Sequence, residues 1–401
     1  MKVMQVNAVN YGSTGNIMNS IHDELILRGN SSMYTHGFTW TRKKSANVFI
    51  TSGIMSKSFH KIISTITGAI GFFSIVPTLI TINKIKAFNP DIIHLHNIHG
   101  WYINFPILFK YLERRNKPLI WTFHDCWAFT GHCAHFEMVN CKKWQNECYN
   151  CPVYKQYPKS IFDNSKFMFK YKSKVFPILP KLTIITPSKW LKQQVEKSFF
   201  KDKPIKVIYN GVNPQVFFPR ESEFRNSHNL MDKKIILGVS LGWTNKKGLD
   251  IFIKLAKLLD ESYKIVLVGT DKKTDKILPK NIISINKTSN QEELSEIYST
   301  SDVFVNPTRE EVFGLVNVEA LSCGLPVITF NTGGSPETID FKSGIVVEKN
   351  DIVDLVTKIK YVCENKPFKK SDCIKRGNSF DSKKMLDEYL SLYEALSNSE
   401  S

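Results

Sequence analysis

The sequence is short of acid. Its 401 residues hold 37 Asp and Glu against 54 Lys and Arg, a formal net charge of +17 at pH 7. A surplus that large points to an anionic partner, whether a nucleotide, a nucleic acid or an acidic membrane face. The N-terminus, "MKVMQVNAVNYG", lacks the basic segment and long apolar run of a secretory leader and reads as a strand. The protein is therefore expected in the cytoplasm, with its thiols reduced. Apolar runs of membrane-spanning quality are scarce. The uncharged stretch "IISTITGAIGFFSIVPTLITI" (62–82) has the length, but Gly68, Gly71 and Pro77 interrupt it and Ser64, Thr65, Thr67, Ser74 and Thr78 dilute it. It reads as a loop with a buried helix, or as a surface dipping into the membrane interface, in preference to a span.

The basic charge is concentrated. Between Lys155 and Lys206 thirteen lysines face three acids, and "KFMFKYKSKVF" (166–176) interleaves lysines with Phe167, Phe169, Tyr171 and Phe176. That composition suits a segment resting on an anionic bilayer, or a solvated helix whose aromatics face a core.

The length implies two domains. Short apolar runs such as "KVMQVNAV", "DIIHLH", "PLIWTFH" and "KLTIITPS" alternate with helical periodicity such as Ile17, Met18, Ile21 and Leu25. The alternation restarts at "DKKIILGVS", continues through "YKIVLVG", "DVFVNP" and "LPVITF", and includes a helix with a capping box expected at Ser289 and Glu292. Strand–helix repetition predicts an α/β protein with two doubly wound parallel sheets. The predicted divisions are 1–209, 210–380 and a C-terminal helix over 381–401 packing back on the first domain. Ligands of such sheets bind beyond the carboxyl ends of the strands, so the expected site is a cleft between two facing domains.

The densest motif is "TREEVFGLVNVEALSCGLPVITFNTGGSPE" (308–337). Glu311 falls on the loop after a strand and Glu319 in the following helix. The N–H groups around Phe313, Gly314 and Leu315 open that helix and suit a phosphate. Each carboxylate offers two acceptors to adjacent hydroxyls of a sugar or ribose. "NTGGSPE" offers further amides at Gly333 and Gly334.

These residues resemble the glutamate-x7-glutamate signature of family 4 retaining glycosyltransferases. "VIYNGVN" (207–213), "KKGLD" (246–250), "NYGSTGN" (10–16) and "WTFHD" (121–125) resemble that family's other segments, in its order. The resemblance implies the GT-B architecture, two Rossmann-like domains, a nucleotide-sugar donor and transfer with retention. It implies that Glu311 contacts the donor sugar, Glu319 the ribose and Lys247 the diphosphate. It also implies that Gly12 and Gly15 admit donor and acceptor to the first loop and that His124 lies by the reacting sugar. No Asp-x-Asp occurs in the chain, so no cofactor is expected for catalysis. The family's arginine a few residues before the lysine is missing from "LGWTNK"; Lys246 and Arg309 are the candidate replacements.

Five of the eight cysteines fall between 126 and 151. Cys133, Cys141, Cys148 and Cys151 suit a structural zinc site, with His132 or His135 as alternates, or reduced thiols packed in a small aromatic subdomain. This insert and "PDIIHLHNIHGWYIN" (90–104) are similar to a branch of the family from colanic-acid, capsule and O-antigen pathways. That branch implies a polyprenyl-diphosphate-linked acceptor and a peripheral position on the inner face of the cytoplasmic membrane. His94, His96 and His99 are expected to line the acceptor side, with metal binding the lesser reading. Two other functions compete: a nucleotide-sugar epimerase or hydrolase on the same fold, and a zinc-containing nucleic-acid-binding protein. The chain holds no recognisable nucleic-acid reader, so nucleic acid is not the expected partner.

Overall fold

A computed structural model describes residues 1–38 and 47–398. The chain divides into two units: residues 1–208 with 386–401, and residues 209–385.

The first unit is built on seven strands: β1 (Lys2–Asn7), β2 (Ser31–His36), β3 (Val48–Ile50), β4 (Ile92–Leu95), β5 (Leu119–Thr122), β6 (Leu182–Thr186) and β7 (Ile205–Val207). They lie in the order β3-β2-β1-β4-β5-β6-β7, with every pair parallel. The second unit carries β8 (Lys234–Val239), β9 (Tyr263–Val268), β10 (Ile282–Ile285), β11 (Val303–Asn306), β12 (Val327–Phe330) and β13 (Gly344–Val347). Its order is β10-β9-β8-β11-β12-β13, again all parallel. Both sheets are doubly wound α/β layers of the GT-B kind, and in each the order reverses beside the first strand.

The central strands β4, β5, β11 and β12 are buried along their whole length, because helices cover both faces. On α1 (Gly12–Leu27) the buried residues include Ile17, Met18, Ile21 and Leu25, the spacing the sequence shows. Strands β3, β10 and β13 are sheet edges and β2 lies next to one; all are short, and of the four only β2 (SSMYTH) lacks an apolar run. It becomes a strand through pairing with β1 and β3 rather than propensity.

Three expectations need correction. Stretch 62–82 is divided between α2 (Ile54–Thr67) and α3 (Ile75–Phe88). Among the described residues no helix is long and apolar enough to cross a membrane. What α2 buries is polar: His60 and Ser64 point inward. The capping box is shifted by one residue. Asn290 caps the helix Gln291–Thr300 by accepting from Glu293 N at 2.8 Å, while Glu293 accepts from Ser289 N at 2.6 Å. Finally, α5 (Ser165–Val175), which follows α4 (Phe105–Arg115), does not keep all of its lysines on the surface. Lys172 is buried with Phe169, while Lys166, Lys170 and Lys174 are exposed.

The C-terminal helix Ser382–Asn398 joins the first unit from Leu386 onward. Tyr389 Oη lies 3.1 Å from Thr122 Oγ1, and Tyr393 Oη lies 2.6 Å from His94 Nδ1.

Candidate active site

The second unit's topological reversal lies between β8 and β11, where an open parallel sheet receives ligands. The loop after β8 delivers Lys247 and the loop after β11 delivers Glu311. Lys247 Nζ meets Glu311 Oε2 at 2.9 Å. Gly314 follows, at φ 97°, in the left-handed region that side-chain-bearing residues avoid. It opens the helix Leu315–Ser322 without any side-chain cap, so the partial positive charge of that helix end stays beside the Lys247–Glu311 pair. The Phe313 ring is buried against Tyr209 and Phe380, leaving only its backbone to serve a ligand.

Glu319 stands in the second turn of the same helix, and Tyr298 Oη donates to its Oε2 at 3.0 Å. Burial raises the Glu319 carboxyl to about 7, and the Tyr298 hydrogen bond opposes this only in part. Glu319 thus titrates near neutral pH, and a hydroxyl-donating ligand would shift it toward the carboxylate.

Sequence reasoning overlooked Asn317, which holds these loops together. Its amide donates to Ser335 Oγ and Thr338 Oγ1, both at 2.9 Å, and its oxygen accepts from Asn306 Nδ2 at 2.8 Å. The β11 end, the motif helix and the 335–338 turn are therefore one hydrogen-bonded block. An asparagine midway along an apolar helix, a poor helix former between the two glutamates, was the available signal.

Two expectations change here. Gly333 has φ 56°, but the Gly334 N–H is used internally, donating to Glu311 O at 3.1 Å. It ties the two loops together rather than offering itself to an anion. The candidate replacements for the missing arginine are also committed. Arg309 forms a two-pronged pair with Asp250 at 2.7 and 2.8 Å, and Lys246 pairs with Glu310 at 2.5 Å. Lys247 is paired too, but with Glu311 of the motif itself.

In the first unit, α1 begins at Gly12, with φ 67°. Gly15 is set by packing: a Cβ there would lie 2.4 Å from the Asn10 carbonyl carbon. His124 ends a relay. Gln5 Nε2 donates to Met18 O at 3.2 Å, which leaves Gln5 Oε1 to accept from His96 Nε2 at 3.1 Å. Burial holds His96 well below the usual histidine range, so its Nδ1 is unprotonated and accepts from His124 Nε2 at 3.0 Å. Burial also lowers His124 to about 4, against the pull of Asp125, so the ring is neutral and its Nδ1 is an acceptor.

His94 and His96 are fully buried, against the expectation of acceptor contact, because Thr122 and Tyr393 engage His94 and the relay engages His96. His99 pairs with Asp125 at 2.8 Å, and Tyr157 Oη lies 3.1 Å from its other nitrogen. His96, His99, His124, Asp125 and Trp127 line a small pocket.

The cysteine insert closes around aromatics. Phe136 stacks on Trp144 within it and Phe129 meets Trp144 edge-on, and Lys172 Nζ donates to Trp127 O at 2.7 Å and Thr130 O at 3.0 Å. The Cys133 and Cys151 thiols share a hydrogen bond, whereas Cys148 Sγ accepts from Gly131 N at 3.2 Å. Among the described residues no group of three or more His, Cys, Asp or Glu side chains is arranged to hold a metal ion.

Comparison with known proteins agrees with this architecture. Residues 71–216 match the family described as Glycosyltransferase Family 4, and residues 220–380 match Glycosyl transferases group 1. WcaC of Escherichia coli K12, a glycosyl transferase named for colanic acid biosynthesis, is 22% identical over 78% of each chain. A 41.2 kDa protein of the Klebsiella pneumoniae cps region is 26% identical over 79% of this chain and 82% of its own. The crystal structure of Anabaena HepE in complex with UDP superposes with a TM-score of 0.68 at 13% identity, covering 98% of this chain and 100% of that one. The chain belongs to the group 1, family 4 glycosyltransferases and is similar to their colanic-acid and cps-region representatives.

Proposed function

We propose that this glycosyltransferase moves a sugar, of the hexosyl class or related to it, from a nucleotide-sugar donor to a polyprenyl-diphosphate-linked oligosaccharide, with retention and without a catalytic metal. The work belongs to surface polysaccharide assembly of the colanic-acid, capsule or O-antigen kind, at the inner face of the cytoplasmic membrane. The observation that carries this reading is the grouping of Lys247, Glu311 and the uncapped Gly314 helix end at the reversal of the second sheet.

In the proposed reaction the bond between the anomeric carbon and the diphosphate oxygen breaks, and its electron pair leaves with the diphosphate. The acceptor hydroxyl oxygen bonds the anomeric carbon on the same face, and its proton passes to the leaving phosphate. Negative charge grows on the diphosphate as the bond breaks. Lys247 and the helix end are in place before the reaction to stabilise that charge, the role a divalent ion would otherwise fill. Glu311 would exchange its pairing with Lys247 for the donor's hydroxyls, and Glu319 would accept from the ribose. His124 Nδ1 can only accept, so it calls for a hydroxyl on the sugar it meets.

The test is a thermal-shift panel of UDP-, GDP-, dTDP- and ADP-sugars on the wild type and on Glu319→Ala. A ligand at about 100 Kd adds roughly 2.7 kcal/mol to the native state. A shift with one nucleotide class that disappears in the variant is the expected result. No shift with any of them overturns the reading.

A further inference from the structure

Helix α2 is built inside out. Met55, Phe59, Ile62 and Ile66 recur at the spacing of one helix face, and that face is 44% to 84% exposed. The opposite face is attached to the protein through polar atoms. His60 Nδ1 lies 2.8 Å from Ser74 Oγ, and the Gly71 N–H donates to His60 Nε2 at 3.1 Å. Folding usually buries the apolar side of such a helix and leaves the polar side wet. Here the fold spends its hydrogen bonds inward and presents its hydrocarbon outward. Helix α3 adds to the outward apolar surface at its first turns: Ile75, Val76, Leu79 and Ile80 are exposed, while Thr78, Thr81, Ile82 and Ile85 are buried.

The fold adds a second segment to the α2 face from about a hundred residues away. Ile161 N donates to Thr65 O at 2.7 Å, and a Cβ on Gly68 would lie 2.8 Å from Phe162 O and 3.0 Å from the Asn164 side chain. Ile161 and Phe162, both exposed, thus abut the end of α2, and α5 starts beside them with Lys166, Lys170 and Lys174 at the surface. Residues 47–90 contain four lysines and no Asp or Glu. Exposed apolar side chains and an excess of cations thus share this region, with Asp163 and Glu147, the latter paired with Lys166, as the acids beside α5.

We infer that the outward face of α2, with Ile161–Phe162 and the α5 lysines beside it, seats this protein on an anionic phospholipid bilayer. A second copy of the chain fits poorly, because it would bring cations against cations with no acid in the α2–α3 segment to pair them. An anionic headgroup layer over hydrocarbon supplies both complements, with the side chains entering the interface and the lysines meeting the headgroups. The inference draws on the proposed lipid-linked acceptor for its purpose only; its support is the surface itself.

The test uses the full chain, without donor or acceptor, sedimented with vesicles of phosphatidylglycerol and phosphatidylethanolamine at low salt, and with phosphatidylcholine vesicles. The wild type is expected to sediment with the anionic vesicles and to be released by salt. A variant carrying Met55→Ser, Phe59→Ser and Ile62→Ser should lose about tenfold or more in partitioning. It should keep the wild-type unfolding temperature and nucleotide-sugar shift, since those side chains are at the surface. Lys166→Gln with Lys170→Gln and Lys174→Gln should weaken binding to the anionic vesicles alone. A wild type that ignores anionic vesicles overturns the inference, as does a serine variant that binds them equally. A lipid-free dimer that the serine variant abolishes would replace the bilayer with a protein interface. A missing nucleotide-sugar shift in the wild type would sink the proposed function and leave vesicle binding standing, so the two failures are separable.

Discussion

Replacing Glu319 by Gln should stabilise the donor-free protein while removing its grip on the donor. The folded carboxyl is raised by burial to about 7 from an ordinary 4.5. A raised acid means that the native state holds the proton more tightly than the unfolded chain. Stability contributed by the protonated group is therefore present at low pH and lost as pH climbs from 4.5 through 7. The full difference corresponds to about 3.4 kcal/mol at high pH, and about 2.5 kcal/mol of it develops between pH 5 and pH 8. That is a ceiling, because Glu319 is half-buried and its open edge keeps some water. Gln keeps the shape and an oxygen for Tyr298 but does not titrate. The assay is thermal unfolding of both proteins from pH 5 to pH 8. The gap should widen with pH in favour of the variant, reaching roughly 5–10 °C for the transition of the second unit. The variant should also lose the nucleotide-sugar shift, whereas the wild type should release protons on donor binding near pH 7. Parallel pH dependence in the two proteins would refute the argument, because it would mean that the Glu319 carboxyl is not raised in the fold.

Four further outcomes follow. Tyr298→Phe removes the hydrogen bond that opposes the burial of Glu319, so the pH at which donor affinity is half-maximal should move upward; titration of the thermal shift against pH reads it. Lys247→Ala should change stability by no more than about 1 kcal/mol, because its ion pair is still partly open to solvent, yet weaken donor binding about tenfold or more through loss of a charge-assisted contact; calorimetry of the donor separates the two effects. Asn317→Ala takes the acceptor from Asn306 Nδ2 and one donor each from Ser335 and Thr338, which keep bonds to Thr329 Oγ1 and Ser335 O, and should destabilise the second unit by roughly 1–3 kcal/mol in urea unfolding. The first unit should respond to acid in the opposite sense from Glu319. Burial holds His60 and His124 to about 4, so the stability of their neutral forms is present above 6.5 and lost as pH falls toward 4; tryptophan fluorescence of the insert reports that transition.

Much of the fold was legible because it is written locally. Apolar runs and helical periodicity mark the central strands and α1, and the positions of Glu311, Gly314 and Glu319 around one helix follow from counting along "EVFGLVNVE". The strands β2, β3, β10 and β13 were not legible: β2 is hydroxyl-rich, and the apolar runs of the other three are too short for periodicity to tell strand from helix.

What the tertiary structure decided are the partners. Lys247 and Glu311 are 64 residues apart and His96 and Gln5 are 91 apart, so no local pattern announces either contact. The same holds for the commitment of Arg309 to Asp250 and of Gly334 to Glu311, which reduced the sequence's list of anion-binding groups. The relay that leaves His124 with an accepting nitrogen depends on the orientation of a glutamine amide fixed by Met18. Helix α2 states the division most clearly. Its sequence determines that one face is apolar and the other is not, because that is periodicity. Which face meets the protein is settled by what the rest of the chain offers it, and here Ser74 and Gly71 offer hydrogen bonds to His60, so the hydrocarbon is left outside.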